Sequence, residues 1–114
     1  MQIATTQHDT VLVLAIAGSV DSLSADALTQ RFAEAIDQGA VHLVADFAQV
    51  SYTSSAGLRA LLGTVKRCRL GGGDLRLAAL QPPVARVLEI AGFTSILNIF
   101  ADVPDAVASF GGAA

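Results

Sequence analysis

Residues 46–62 read DFAQVSYTSSAGLRALL, from Asp46 to Leu62, and the hydrophobic period changes inside this stretch. Its first residues finish a short apolar run, Val41 to Phe47, of the length and composition of a buried strand. After Ser55 the apolar residues fall at Leu58, Leu61, Leu62, Val65 and Cys68, which is helical spacing. Between the two lies a hydroxyl-bearing run, Ser51-Tyr52-Thr53-Ser54-Ser55, in which Ser54 or Ser55 caps the helix. Gly71-Gly72-Gly73 then stops it. A strand, a short turn and a helix in this order begin a crossover unit, which pairs parallel strands.

Working outward, the same alternation recurs. Upstream, Val11 to Ala17 is the longest unbroken apolar run, at seven residues, and reads as a central strand buried on both faces. Ile3 to Gln7 pairs with it as an edge strand through a turn at His8-Asp9-Thr10. Ser22-Leu23-Ser24-Ala25-Asp26 starts a helix, with a hydroxyl cap and an acid in the first turn. Leu28, Phe32, Ala35 and Ile36 form its apolar face, and Gly39 ends it. Downstream, Leu75 to Ala79 is a strand and Pro82-Pro83 opens a third helix with Val84, Val87, Leu88 and Ala91 inward. Gly92 stops that helix, Ile96 to Phe100 is a fifth strand, and Val103 to Phe110 a last short helix. Gly111 to Ala114 reads as a frayed end. The order predicts an α/β fold with a mixed five-stranded sheet and about four helices, in one domain spanning residues 1–114.

Composition narrows the function. The chain has 114 residues, 53% of them hydrophobic, and a net charge of −3. A core of that size needs no disulfide or metal, and the only cysteine, Cys68, fits the apolar face of the second helix. Cys68, His8 and His42 are scattered, so no metal site is expected. The acidic balance argues against nucleic-acid binding, which needs a basic face. A membrane-spanning helix needs about 20 apolar residues, far more than any run here, and Met1 to Ala17 lacks the basic start of a secretory signal. The chain is therefore expected to be soluble and cytoplasmic, without membrane insertion.

Enzyme chemistry finds little footing. Gly18-Ser19-Val20-Asp21-Ser22 carries one glycine where a nucleotide-binding turn needs several, and no GxxxxGK[ST] loop is present. Gly71-Gly72-Gly73 follows a helix, the wrong order for a phosphate cradle. Ser54 and Ser55 lie at a strand-to-helix turn without the Gly-x-Ser-x-Gly elbow. No catalytic residue and no cofactor are expected. The same turn has a different use. A helix N-terminus presents unpaired N–H groups and the positive end of its dipole, so a phosphorylated serine there would find donors. From spacing alone, Ser54 and Ser55 are each readable as a plain cap or as a phosphate acceptor.

Further motifs bear on this choice. Gly18-Ser19-Val20-Asp21, Val44-Ala45-Asp46-Phe47, Thr53-Ser54-Ser55-Ala56-Gly57-Leu58, Leu62-Gly63, Gly72-Gly73 and Pro82-Pro83-Val84 together resemble the STAS family, named for sulphate transporters and anti-sigma factor antagonists. The resemblance covers nearly the whole chain. It implies a binding module rather than an enzyme, of the stand-alone anti-sigma factor antagonist type. In such members the first serine of an Asp-Ser-Ser/Thr-Gly-Leu signature is phosphorylated. Aligned on Gly57-Leu58, that serine falls on Ser55, with Ser54 the alternative; the family's aspartate falls on Ser54 and its Ser/Thr on Ala56. Asp21, Asp46, Thr53, Ser54 and Gly57 match positions around the phosphosite. The resemblance implies two partners: an anti-sigma factor serine kinase, which the unmodified protein sequesters so that a sigma factor is freed, and a serine phosphatase that restores Ser55. A docking surface is expected on the second helix at Leu58, Arg59, Gly63, Lys66 and Arg67, since residues before Ala56 include one Lys or Arg, Arg31, and this helix adds Arg59, Lys66, Arg67 and Arg69. The alternative that the family also allows is a phosphorylation-independent accessory subunit of a membrane lipid or anion transporter.

Overall fold

The computed structural model describes residues 1–111, so the expected frayed end lies, apart from Gly111, outside the described residues. Strands β1 (Gln2–His8) and β2 (Val11–Ala17) form an antiparallel hairpin. Then follow α1 (Ala25–Asp37), β3 (His42–Gln49), α2 (Ser55–Leu70), β4 (Asp74–Ala78), α3 (Pro82–Ile90), a 3-10 turn at Phe93–Ser95, β5 (Asn98–Phe100) and α4 (Val103–Ala108). The sheet order is β1-β2-β3-β4-β5, with β2 to β5 all parallel.

This order fixes the layers. Each of the three crossovers steps one strand in the same direction, and such connections are right-handed, so α1, α2 and α3 must share one face. The buried side chains agree. Leu14, Ile16, Leu43, Ala45, Phe47, Leu75 and Leu77 alternate along the strands and meet Leu28, Phe32, Leu58, Leu61, Val65, Val84 and Leu88 from the helices in one cluster. The opposite face carries a smaller cluster: Val11, Val13, Val44 and Ala78 under Ala106 of α4.

Three sequence expectations need correction. Val11–Ala17 is not buried on both faces throughout, because α4 spans six residues and leaves Ala15 and Ala17 half-buried. The fifth strand is only Asn98–Phe100: Ile96 and Leu97 leave the 3-10 turn, and Leu97 fills the core from irregular backbone. Ala91 is exposed beyond the end of α3. The start of α1 is as expected, with Ser24 at the N-cap and Asp26 in the first turn, and the Ser24 side chain makes no cap bond there. The glycine stop of α2 is as expected: Gly72 takes φ +85° and the Gly73 N–H donates to Cys68 O at 2.8 Å.

Candidate functional site

The loops after β2 and β3 emerge side by side at the carboxyl ends of parallel strands, where open α/β sheets present their sites. They are stitched together: Val20 N–H donates to Tyr52 O at 2.9 Å and Ser54 N–H to Val20 O at 2.8 Å, a parallel bridge between Val20 and Thr53. Val20 and Thr53 are both buried. The first turn of α2 sits on this bridge through Gly57. A Cβ at Gly57 would run into Thr53 Oγ1 and lie 2.8 Å from Val20 Cγ1, so only glycine lets the helix approach this closely.

The structure separates the two serines. Ser54 is the N-cap of α2, with extended backbone, and its Oγ accepts from the Gly57 N–H at 3.2 Å. Ser55 is the first residue of the helix and is exposed. Among the described residues no hydrogen bond engages its hydroxyl. Thr53 turns inward, its Oγ1 donating to Ser54 O at 3.4 Å. Gly57 serves the packing just described.

The two aspartates part company. Asp21 lies one residue from the Val20–Thr53 bridge, and its Oδ1 accepts from the Leu23 N–H at 3.0 Å, the Ser24 N–H at 2.9 Å and the Ser24 hydroxyl at 3.1 Å. The Ser24 backbone and hydroxyl bonds hold its carboxyl below the usual range. It is thereby anchored as the loop's own cap. Asp46 alternates with the core-facing Ala45 and Phe47, so it projects from the sheet face opposite α2, where its Oδ1 accepts from the Ala48 N–H at 3.0 Å. A place beside Ser55 is thus geometrically open to Asp21 and not to Asp46.

Helix α2 presents two faces. Leu58, expected at a partner interface, is instead buried in the core with Leu61, Val65 and Cys68. Burial pushes the Cys68 thiol up to about 11, so it stays protonated and inert. Arg59, Gly63, Lys66 and Arg67 line up on the exposed side. Sequence reasoning missed the opposing wall. Ala25, Asp26, Thr29, Ala33 and Ile36 of α1 face Ala56, Arg59, Ala60, Gly63 and Arg67 of α2 across a trough of about 340 Å3. Arg67 spans it to Asp37 at 3.1 Å. The signal was present as small residues recurring four apart on α1, at Ala25, Thr29 and Ala33, and four then three apart on α2, at Ala56, Ala60 and Gly63. Neither histidine belongs to the site: His8 ends β1, and His42 stacks on Phe110 with ring centroids 5.1 Å apart.

The chain thus sets three helices on one face of its sheet and α4 on the other, with an exposed serine heading α2 beside a small-residue trough. The chain belongs to the STAS domain family, which matches residues 2–106. It is 36% identical over 110 residues, covering 96% of this chain and 95% of the other, to BtrV of Bordetella bronchiseptica, named as a candidate anti-sigma factor antagonist. It is 34% identical over 95 residues to the anti-sigma-B factor antagonist of Bacillus subtilis, covering 83% and 86% of the two chains. In three dimensions it resembles a Thermotoga maritima protein described as a candidate anti-sigma factor antagonist, with TM-score 0.89, 19% identity and 94% and 92% coverage; this likeness concerns the fold. Among the described residues no helix is long and apolar enough to cross a membrane.

Proposed function

We propose that this chain is an anti-sigma factor antagonist, a binding module switched by phosphorylation of Ser55. The observation that carries the reading is the division of labour between adjacent hydroxyls. Ser54 Oγ is committed to the Gly57 N–H, while Ser55 is exposed at the first position of α2. A phosphoryl group on Ser55 would meet the positive end of the helix without disturbing the cap. The relatives named as anti-sigma factor antagonists support the choice of partner class.

In the cycle, unmodified protein binds an anti-sigma factor kinase through Arg59, Gly63, Lys66 and Arg67, and the sigma factor is released. The kinase transfers the γ-phosphoryl of its ATP. The Ser55 Oγ–P bond forms, the bond from the γ-phosphorus to the β–γ bridging oxygen breaks, ADP leaves, and the hydroxyl proton passes to the kinase's base. Added charge of about −1.5 to −2 beside the docking face then ends the complex. A phosphatase returns inorganic phosphate by hydrolysis. The chain is substrate rather than catalyst and works in the cytoplasm, where ATP and sigma factors are.

Incubation with a cognate anti-sigma factor kinase and ATP tests this by mass spectrometry. The parent and Ser54→Ala should each gain one phosphoryl group, and Ser55→Ala none while keeping its fold. Phosphate uptake by Ser55→Ala would overturn the assignment. Co-purification with a transporter's ATPase subunit, without phosphate uptake, would replace it by the transporter-accessory reading.

A further inference from the structure

Of the four cations of α2, Arg59 and Lys66 have no ion pair among the described residues, and of these two only Arg59 lines the trough. Arg67 is paired with Asp37 and Arg69 with Asp74, at 3.1 and 2.9 Å. Arg59 is exposed, and among the described residues it has neither an ion pair nor a side-chain hydrogen bond. It stands on the rim of the trough between α1 and α2. The carboxylate across from it, Asp26 on α1, lines the same trough and is likewise unpaired among the described residues. The floor below is kept open by Gly63, where a Cβ would meet nothing within 4 Å.

Arg59 is also four residues after Ser55 in the same helix. Side chains at that spacing lie one above the other, with Cβ atoms about 5–6 Å apart. Helical side chains lean toward the N-terminus, so Arg59 leans toward Ser55. An acid one turn before a base is the favourable order for such a pair, and a phosphate offers the guanidinium a fork of oxygens.

We infer that Arg59 is the charge through which modification of Ser55 is felt: unmodified, it stands over the trough as a free cation for an acidic group of the docked partner; once Ser55 carries phosphate, the guanidinium folds back one turn and is captured. Phosphorylation then does two things at once, adding negative charge and withdrawing the positive charge that the partner would use. Asp26 from α1 shares the trough with Arg59, while Asp21 is held within its own loop by Leu23 and Ser24. Lys66 is almost two further turns along α2. The inference rests on Ser55 being the modified residue, yet the pairing itself can be measured without any kinase.

Phosphoserine is installed at position 55 of the full chain during translation, and the second ionisation of the phosphate is followed by 31P NMR at low salt. With Arg59 present the midpoint should lie below that of the R59Q variant by about 0.3 pH unit, and the gap should close in 1 M salt, as screening requires. The K66Q variant should leave the midpoint where it is. Equal midpoints for the parent and R59Q would overturn the inference, as would a K66Q shift as large as that of R59Q, which would mean a diffuse basic field. Failure here leaves the Ser55 switch standing. Failure of a kinase to modify Ser55 removes the switch but leaves this measurement intact.

Discussion

Gly57 and Gly63 occupy the same helix for opposite reasons. At Gly57 the missing side chain is filled from within: an added Cβ would collide with Thr53 Oγ1 and press on Val20 Cγ1. Both neighbours are buried and tied into the loop bridge, so neither can retreat cheaply. Gly57→Ala should therefore lose about 1–3 kcal/mol of stability in urea unfolding, as overpacked sites do. At Gly63 nothing lies in the way, and glycine inside a helix costs about 1 kcal/mol relative to alanine. Gly63→Ala should gain close to that amount and, if the trough receives the partner, bind it more weakly. A loss of stability on Gly63→Ala would mean that the helix needs this glycine for itself. The sequence could not distinguish these two glycines. It placed both on α2 by spacing, but what a Cβ would strike depends on the Val20 loop, more than thirty residues away in the chain. For the same reason it left the cap open between Ser54 and Ser55, and it assigned Leu58 to a partner although the helical period puts that residue under the core face. Asp46 lies on the sheet face away from α2 because strand parity, which a motif does not state, decides which side of the sheet each residue sees.

At the scale of elements, the parallel sheet and its crossover helices were legible because each strand is a bounded apolar run and each helix has a glycine or proline at an end. The fifth strand was the exception. Ile96 to Phe100 looks apolar enough, yet short apolar runs do not reveal whether their backbone pairs, and Leu97 buries itself from a turn. What anchors this weak edge is polar and was invisible beforehand. Asp74, at the start of β4, accepts from Arg69 Nε at 2.9 Å, Arg76 Nε at 3.0 Å and Asn98 Nδ2 at 3.0 Å. Arg69 also donates to Ile96 O at 2.8 Å. One carboxylate thus ties the end of α2 to β4 and to β5, through residues 5, 2 and 24 positions away. Burial would raise the Asp74 pKa, but the bonds from Arg76, Asn98 and Arg69 outweigh it, and the carboxyl ionises below its ordinary 3.8. Since the folded value is the lower one, its contribution is complete above pH 3.8 and fades as the pH falls through the folded value. Asp74→Asn should accordingly cost about 1–3 kcal/mol at pH 7, and the gap between parent and variant should narrow below pH 3.8 in acid unfolding followed by circular dichroism. A gap unchanged down to pH 2 would show that the ionised form adds nothing.

Across the whole molecule the two faces of the sheet are unequal, and the proposed site belongs to the larger. The face carrying α1, α2 and α3 buries most of the core, and the trough runs between α1 and α2 on the outside of this layer. The other, among the described residues, holds a small cluster of Val11, Val13, Val44 and Ala78 covered by Ala106 of α4. Ala106 is the contact at the centre of that cover and has no exposed surface. A carboxylate placed there would have Val11, Val13, Val44 and Ala78 around it, an environment that penalises charge heavily. The least costly response is for α4, six residues long and too short to be stable alone, to leave the sheet. Ala106→Asp should therefore yield a folded protein with α4 detached, not an unfolded chain. Amide signals of Val11, Val44 and Phe110 should shift or broaden in 1H–15N spectra, while those of Val20, Thr53 and Gly57 stay in place and Ser55 still accepts phosphate from the kinase. Global unfolding of this variant at 25 °C would show that the small cluster is indispensable to the large one, and that the switch depends on both faces of the sheet rather than on the one that carries it.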